Sequence, residues 1–343
     1  MNEDTPFPPE VPHGLNPPVG AIIYYYLGAR PSGDVTLEIV DAAGKPVRHY
    51  SSAPIPADTN PAPQVPPYWL KVPQPMPTTI GTNRINWDLR YDDPPAFSHS
   101  MDPYYTLNAV PGETVYHAEG PLAVPGVYTV KLTVDGKSYT QTVTVRNDPR
   151  SPATLADLEA QHDLQMKLYD GARESWDGYL QVDAMRKAVA GVMRGNPPAE
   201  VATAAAAFDS VLARVGGVAG IVDNTRGNAF AGQRTPNFAA INGREGGENV
   251  LFSMNGQLRN NDSGDLAPTA PMLRGWVNVC TDLRSAVTAW REINEKDLVG
   301  FNAVLARNHL PPIAAAAPAL PVPACAAAPP ARRAAAGRVG KGG

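Results

Sequence analysis

Two adjoining stretches decide the fold of the N-terminal half, Val127-Tyr-Thr-Val-Lys-Leu-Thr-Val134 and Ser138-Tyr-Thr-Gln-Thr-Val-Thr-Val145. Both are rich in β-branched and aromatic residues and alternate polar with apolar positions, a pattern typical of half-buried strands. Asp135-Gly-Lys137 joins them, and an Asp-Gly pair between two such runs is a strong hairpin signal. The sequence therefore predicts an antiparallel β-hairpin here.

Four shorter segments before this hairpin also have strand-like composition: residues 21–27, 35–40, 47–50 and 83–89. In the last of them, Ile85, Trp87 and Leu89 share one face and would point into a core. Gly44 lies in the loop that joins the second segment to the third, where a hairpin turn favours positive φ. Six such segments predict an antiparallel immunoglobulin-like β-sandwich over residues 17–148.

Past residue 150 the apolar period changes to three and four. Leucine, tyrosine and valine positions predict one long helix ending near Gly195, either continuous or broken at Gly171 or Gly178. Further helices are predicted at 199–215, at 250–258 and after Thr269. In the last, apolar residues spaced by three and four form a stripe that begins at Leu273. The spacing shifts after Trp290, a slip beyond which the stripe continues. Such stripes favour helices packed lengthwise, so we expect an α-helical bundle over 151–310 and an α+β multidomain chain.

The two ends of the chain have compositions that favour disorder. Residues 1–16 form an acidic, proline-rich leader without the basic and apolar regions of a signal peptide. Residues 311–343 are rich in alanine and proline and basic in charge, and we expect them to be a disordered tail. Seven prolines within that tail argue against a transmembrane segment. The formal net charge of −4 argues against nucleic-acid binding.

The chain has two cysteines, Cys280 and Cys325. Cys280 falls on the apolar stripe of the last helix, and Cys325 falls in the alanine- and proline-rich tail. A disulfide between them would tie a helix to a disordered end. We therefore expect a buried free thiol at Cys280 and an unpaired thiol at Cys325.

The order of the strand segments also resembles a known group of proteins. Pro17-Pro-Val-Gly-Ala-Ile-Ile-Tyr-Tyr-Tyr26, Gly81-Thr-Asn-Arg-Ile-Asn-Trp-Asp-Leu-Arg-Tyr91 and Gly120-Pro-Leu-Ala-Val-Pro-Gly-Val-Tyr128 are similar to the C-terminal region of bacterial sortilin-like BNR-repeat proteins, often labelled glycosyl hydrolases. The Trp-Asp and Pro-Gly-Val-Tyr segments also resemble the immunoglobulin-like module of the flagellar hook-capping protein. The resemblance implies an extracytoplasmic, secreted or periplasmic protein with a β-propeller partner.

The sequence lacks the motifs that would predict an enzymatic activity from this resemblance. The family's propeller blades carry Ser-x-Asp-x-Gly-x-x-Trp turns, and this chain has neither those turns nor a repeat of about 40 residues. No nucleophile elbow or phosphate-binding loop is present. We therefore assign no catalytic residue and expect no cofactor.

Two long proline-rich loops contain the candidate contact residues. Tyr68, Trp69, Tyr104 and Tyr105 are candidate ligand-binding residues, because exposed aromatic rings stack on sugars or cover an apolar patch. His99 and His117, with Asp92 and Asp93, form a weak candidate metal site without a recognised ligand spacing.

These observations favour a non-catalytic accessory or interaction module that binds a protein partner. Two alternatives remain: a glycan-acting hydrolase, and a carbohydrate-binding module that uses the loop aromatics. A hydrolase needs two acids with a histidine or a metal in one cleft, whereas an interaction module needs an exposed apolar surface. A carbohydrate-binding module would hold its aromatic rings in one plane.

Overall fold

The computed structural model describes residues 6–8, 10–12, 14, 17–55, 66–96, 110–115, 118–216, 237–239, 249–262 and 264–326. Within these residues the chain forms two antiparallel sheets followed by helices, which is a mixed α+β architecture. The strands are β1 (Ala21–Leu27), β2 (Thr36–Val40), β3 (Pro46–Ser51), β4 (Gly81–Trp87), β5 (Gly126–Val134) and β6 (Lys137–Val145). In the described part β1 pairs with β4, and the other four strands form a sheet of order β3-β2-β5-β6.

The predicted hairpin is confirmed. β5 and β6 pair in an unbroken antiparallel register from Gly126 opposite Val145 to Val134 opposite Lys137. The two turn residues, Asp135 and Gly136, have φ values of +48° and +76°. This is the left-handed conformation that a two-residue turn needs to match the twist of its strands, and Asp and Gly adopt it most readily.

Residues from both sheets share one hydrophobic core centred on Trp87, which is 0% exposed. Its indole ring meets Tyr128 of β5 edge to face, with 5.2 Å between ring centroids. Its Nε1–H donates to the backbone carbonyl of Arg90 at 2.9 Å, so the one polar atom of the side chain is satisfied. Burying an indole contributes several kcal/mol, on the order of 3–5 by the usual effect of truncation to alanine.

β4 begins and ends two residues earlier than predicted, because the chain turns after Trp87 at Leu89, whose φ is +63°. A bulky residue in this conformation is strained by about 1–3 kcal/mol and is held there by its surroundings. The Asp88 carboxylate accepts the backbone N–H of Arg90 at 3.1 Å and stabilises the turn. The turn directs Arg90 away from the sheet toward the helices.

The helices are α1 (Leu155–Arg194), α2 (Ala199–Gly216), α3 (Val250–Asn260), α4 (Ala270–Glu292) and α5 (Leu298–Arg307). α1 is continuous over 40 residues and begins with a capping box between Thr154 and Asp157. Neither Gly171 nor Gly178 breaks it. A Cβ at Gly171 would lie 2.8 Å from Met254, and one at Gly178 would lie 2.6 Å from the ring of Phe238. These glycines therefore allow close packing against α1.

The slip in the apolar stripe beyond Trp290 has a structural cause. Between α4 and α5 the chain forms a π-helical segment, Ile293–Asp297, which adds residues without ending the helical rod. The extra residues restore the buried face, so that Leu298, Phe301 and Leu305 enter the same core as Trp290.

Two predictions about the cysteines and the tail are wrong. Cys280 and Cys325 form a disulfide bond, so neither is a free thiol. Residues 311–326 are not a disordered tail, since Leu320 is 5% exposed and lies in the helical core. The prediction failed because it treated the segment as an isolated chain, whereas helical side chains hold its backbone. The expected leader and the rest of the tail lie largely outside the described residues.

The sheets and the helices contact each other near the start of α1. Met166 packs against both hydrophobic cores, and the ring of His162 lies 5.2 Å from that of Tyr91. His162 Nδ1 lies 2.8 Å from the backbone carbonyl of Leu122. Among the described helices, none has the length and apolar character that crossing a bilayer requires.

Candidate functional site

Two of the four aromatic residues predicted to bind a ligand lie in the described part of the chain. Tyr68 and Trp69 form a short 3₁₀ turn with Pro67, and Tyr68 is 37% exposed. Their ring planes stand 84° apart, so the rings do not present one flat surface. The backbone of Trp69 accepts the N–H of Thr114, which ties this turn to the next loop. Tyr104 and Tyr105 lie outside the described residues.

The candidate metal residues are placed only in part. His99 and His117 lie outside the described residues. Asp92 accepts the backbone N–H of His49 at 3.0 Å, and Asp93 lies 3.3 Å from the Arg48 guanidinium. Both aspartates are therefore engaged with donors on β3. Within the described residues no three or more His, Cys, Asp or Glu side chains are placed so that they could hold a metal ion together.

Asp92 and Asp93 belong to a larger set of charged side chains, which we call the charge cluster. It lies where the loops beyond β3 and β4 meet the end of α3. Its members are Arg48, Lys71, Asp88, Arg90, Asp92, Asp93, Glu119 and Asp262. Each of the five carboxylates has a cation of the cluster within 4 Å, and the set carries a formal charge of −2.

Arg90 is the centre of the charge cluster. Its guanidinium donates to Asp262 Oδ2 at 2.6 Å and to the carbonyl of Gly120 at 3.0 Å. Its Nε lies 3.7 Å from Glu119 Oε2. The Arg90 and Asp262 side chains are only 17% and 20% exposed. Because Arg90 follows β4 and Asp262 follows α3, this ion pair connects the sheets to the helices.

Gly120 lets the loops of the cluster approach each other. A Cβ at this position would lie 2.3 Å from the carbonyl oxygen of Tyr91 and 2.5 Å from that of Asp92. Such distances do not occur in real structures, so only glycine fits without moving the backbone. This close approach brings the Gly120 carbonyl to Arg90 and its N–H to Asp93.

The charges in the cluster balance the cost of burial. Burial acts to lower the pKa of Arg90, but Asp262 and Glu119 outweigh it and the pKa is raised. Arg48 behaves in the same way with Asp93 and Asp88. Burial raises the pKa of Asp262, and Arg90 offsets only part of that shift. The arginines therefore stay charged, and the cluster is suited to holding loops together rather than to moving protons.

A second feature, on the β1–β4 sheet, has a different character. The side of the β1–β4 sheet that faces away from the core carries Ile22, Tyr24 and Tyr26, and we call it the outer face. Tyr24 is 63% and Tyr26 71% exposed. Across the strands these residues lie opposite Asn86, Arg84 and Thr82. Val19 and Ile80, at the two ends of this surface, are also exposed.

Sequence reasoning predicted β1 but did not identify its outer face. The signal was present, since Ile22, Tyr24 and Tyr26 alternate with Ile23, Tyr25 and Leu27, so both sides of the strand are apolar or aromatic. A strand with two apolar sides is buried on both or uses one of them for contact. In the described structure only the side with Tyr25 and Leu27 is buried. Contiguous exposed apolar residues of this kind commonly mark interaction sites.

One depression of about 450 Å³ lies where the sheets connect to α1, lined by Asp148, Arg150, Ser151, Pro152 and Asp265. It is open to solvent, and Asp148 pairs with Arg150 at 2.6 Å. It therefore lacks the enclosure of a catalytic cleft.

Comparison with known proteins adds no assignment to these features. No family model, no curated protein and no solved structure matches this chain.

Proposed function

We propose that this protein is a non-catalytic interaction module that binds a protein partner through the outer face of the β1–β4 sheet. The observation that carries the proposal is the exposure of Tyr24 and Tyr26 beside Ile22. Tyrosine is enriched at protein interfaces because its ring buries a large apolar area while its hydroxyl keeps a hydrogen bond. These side chains are already partly buried, so withdrawing each of them from water would favour association by less than the roughly 1.5–3 kcal/mol of a complete apolar burial.

The charge cluster supports a non-catalytic role. General acid–base catalysis needs a group that changes protonation at the reacting atom, whereas each carboxylate here faces a cation. In this proposal the cluster serves to hold the two parts of the protein as one body. The parts themselves would be an immunoglobulin-like sandwich, from the shared core of the two sheets, and a helical bundle, from the common core of α1 to α5.

For the partner we propose a BNR-repeat β-propeller in an extracytoplasmic compartment, following the resemblance of the strand segments. The disulfide between Cys280 and Cys325 agrees with that location, because such bonds persist in oxidising compartments. Aromatic residues on a sheet would fit the mostly apolar centre of a protein interface.

The test is a binding measurement between the full chain and a BNR-repeat propeller encoded in the same genome. Tyr24→Ala with Tyr26→Ala should weaken the Kd at least tenfold. Tyr139→Ala is the matched control, because Tyr139 is a 59% exposed tyrosine on β6 of the other sheet and should have no effect. Equal effects of both changes would remove the outer face from the proposal. Turnover of glycoside substrates by the purified chain would contradict the non-catalytic role.

A glycan is a second candidate ligand for the same face. Arg84 lies directly opposite Tyr24 and is exposed. A guanidinium beside exposed rings can hydrogen-bond sugar hydroxyls or acids while the rings stack on the sugar. Titration with soluble polysaccharides would separate the two candidates, because saturable binding that Tyr24→Ala and Arg84→Ala both weaken would favour a glycan.

A further inference from the structure

The C-terminal residues 311–326, which we call the strap, cross the helices without forming regular secondary structure. Asn302 of α5 makes two hydrogen bonds to the backbone of Ile313 in the strap. It donates to the Ile313 carbonyl at 2.8 Å and accepts the Ile313 N–H at 2.8 Å. Asn294 of the π-helical segment accepts the N–H of Ala316 at 2.9 Å. The helices thus bind the strap through its backbone.

Two more helices hold the second half of the strap. Gln181 of α1 donates to the Pro318 carbonyl at 3.0 Å and accepts the indole N–H of Trp290 at 2.9 Å. Arg291 of α4 donates through Nε to the Leu320 carbonyl at 3.0 Å. The strap therefore joins α1, α4, the π-helical segment and α5.

The strap has few apolar side chains with which to stay in place. Twelve of its sixteen residues are alanine or proline. Leu320 is buried, whereas Val322 is 44% exposed. Ile313, Ala316 and Cys325 also pack partly buried against the helical core. Ordering sixteen residues costs conformational entropy that one buried leucine, these three side chains and a handful of hydrogen bonds offset only in part.

The disulfide supplies the missing constraint at the end of the strap. Cys280 lies in the core on α4 and is fully buried, while Cys325 is only partly buried. The bond fixes the strap at a point 45 residues away along the chain. Because the Cys325 sulfur is the more accessible one, a reductant would attack there.

We infer that the strap is a redox-controlled clasp, closed while Cys280 and Cys325 are bonded and released from the helices when they are reduced. This concerns a different surface from the outer face and does not depend on the proposed function. In the opening step a thiolate of a dithiol reductant bonds to Cys325 Sγ, and the Cys280 thiolate leaves and takes a proton. The second thiol then displaces Cys325. The protein disulfide gains two electrons and two protons, and the reductant becomes a cyclic disulfide.

Amide hydrogen exchange on the full chain tests the clasp, with dithiothreitol as the dithiol. In the oxidised protein the N–H groups of Ile313 and Ala316 should be protected, because Asn302 and Asn294 accept them. Reduction should accelerate their exchange at least tenfold more than it accelerates the exchange of amides around Leu168 in α1, which report the stability of the whole helical part. Cys325→Ser should reproduce the reduced behaviour without any reductant.

Two outcomes would overturn the inference. Unchanged protection of Ile313 and Ala316 after reduction would mean that the strap is held without the bond. Equal acceleration at Leu168 would mean that the disulfide only stabilises the whole helical part. Leu320→Ala in the oxidised protein is the control, since the bond should keep these amides protected when the apolar anchor is removed.

Discussion

Replacing Arg90 by alanine should destabilise the protein by about 3 kcal/mol, the lower part of the 3–5 kcal/mol range for breaking a buried ion pair. The change removes the donor to Asp262 at 2.6 Å and the donor to the Gly120 carbonyl at 3.0 Å. Asp262 then keeps a largely buried charge without a cation. We choose the lower part because both side chains retain some exposure, 17% and 20%.

The effect of Arg90→Ala should depend on pH. Burial already raises the pKa of Asp262, and Arg90 lowers it in part. Without Arg90 that pKa rises further, so the native state favours the protonated carboxyl. The variant therefore regains stability relative to the wild type as the pH falls through the raised pKa, and loses most at pH 8.

Urea unfolding at pH 5 and pH 8, followed by tryptophan fluorescence and circular dichroism, measures both effects. Adding Asp262→Asn to Arg90→Ala should recover about half of the loss or more, because it removes the unpaired charge. Lys131→Ala is the control, since the Lys131–Glu38 pair at 3.0 Å is more than 40% exposed on both sides and should be worth less than about 1 kcal/mol. A loss below about 1 kcal/mol for Arg90→Ala, or no recovery in the double variant, would refute the assignment of the cluster as the connection between sheets and helices.

Three further changes test other parts of the helical region. Burial and the neighbouring Asp177 raise the pKa of Glu174 from an ordinary 4.5 to about 7. The folded protein therefore favours the protonated carboxyl, and this contribution to the free energy of unfolding, fully present below pH 4.5, is lost as the pH rises through 7. Glu174→Gln should remove this loss of unfolding free energy between pH 5 and pH 8, and an unchanged pH profile would contradict it. Gly178→Ala should cost about 1–3 kcal/mol in urea unfolding, because its Cβ would lie 2.6 Å from Phe238; an unchanged midpoint would show that the ring moves freely. Cys325→Ser opens a loop that spans 45 residues and should cost about 4 kcal/mol of chain entropy, measured in the same assay against the oxidised wild type. A loss under about 1 kcal/mol would argue against that estimate.

The local features of this fold could be predicted from the sequence because their signals are local. The hairpin follows from Asp135 and Gly136, whose backbone conformation the turn requires. The slip beyond Trp290 correctly indicated an irregularity, which is the π-helical segment. The choice between one long helix and two broken ones stayed open, because the close packing that explains Gly171 and Gly178 comes from residues far along the chain.

The charge cluster and the strap could not be predicted, since both depend on contacts between distant segments. Arg90 and Asp262 are 172 residues apart, and no spacing in the sequence connects them. The alanines and prolines of the strap suggested disorder because composition does not show that Asn302 and Arg291 would hold its backbone. The outer face could have been predicted from the sequence. Both sides of β1 are apolar or aromatic, and a strand that buries only one side leaves the other available for contact.

The continuity of α1 has a mechanical consequence. At 1.5 Å per residue, about 40 Å of unbroken helix separates Met166, where α1 meets the sheet core, from its end at Arg194. A tilt of about 5° at Met166 would carry the far end by roughly 4 Å, since a helix without a kink bends little over such a length. Because α1 is buried against the other helices along most of its length, those helices would have to move with it.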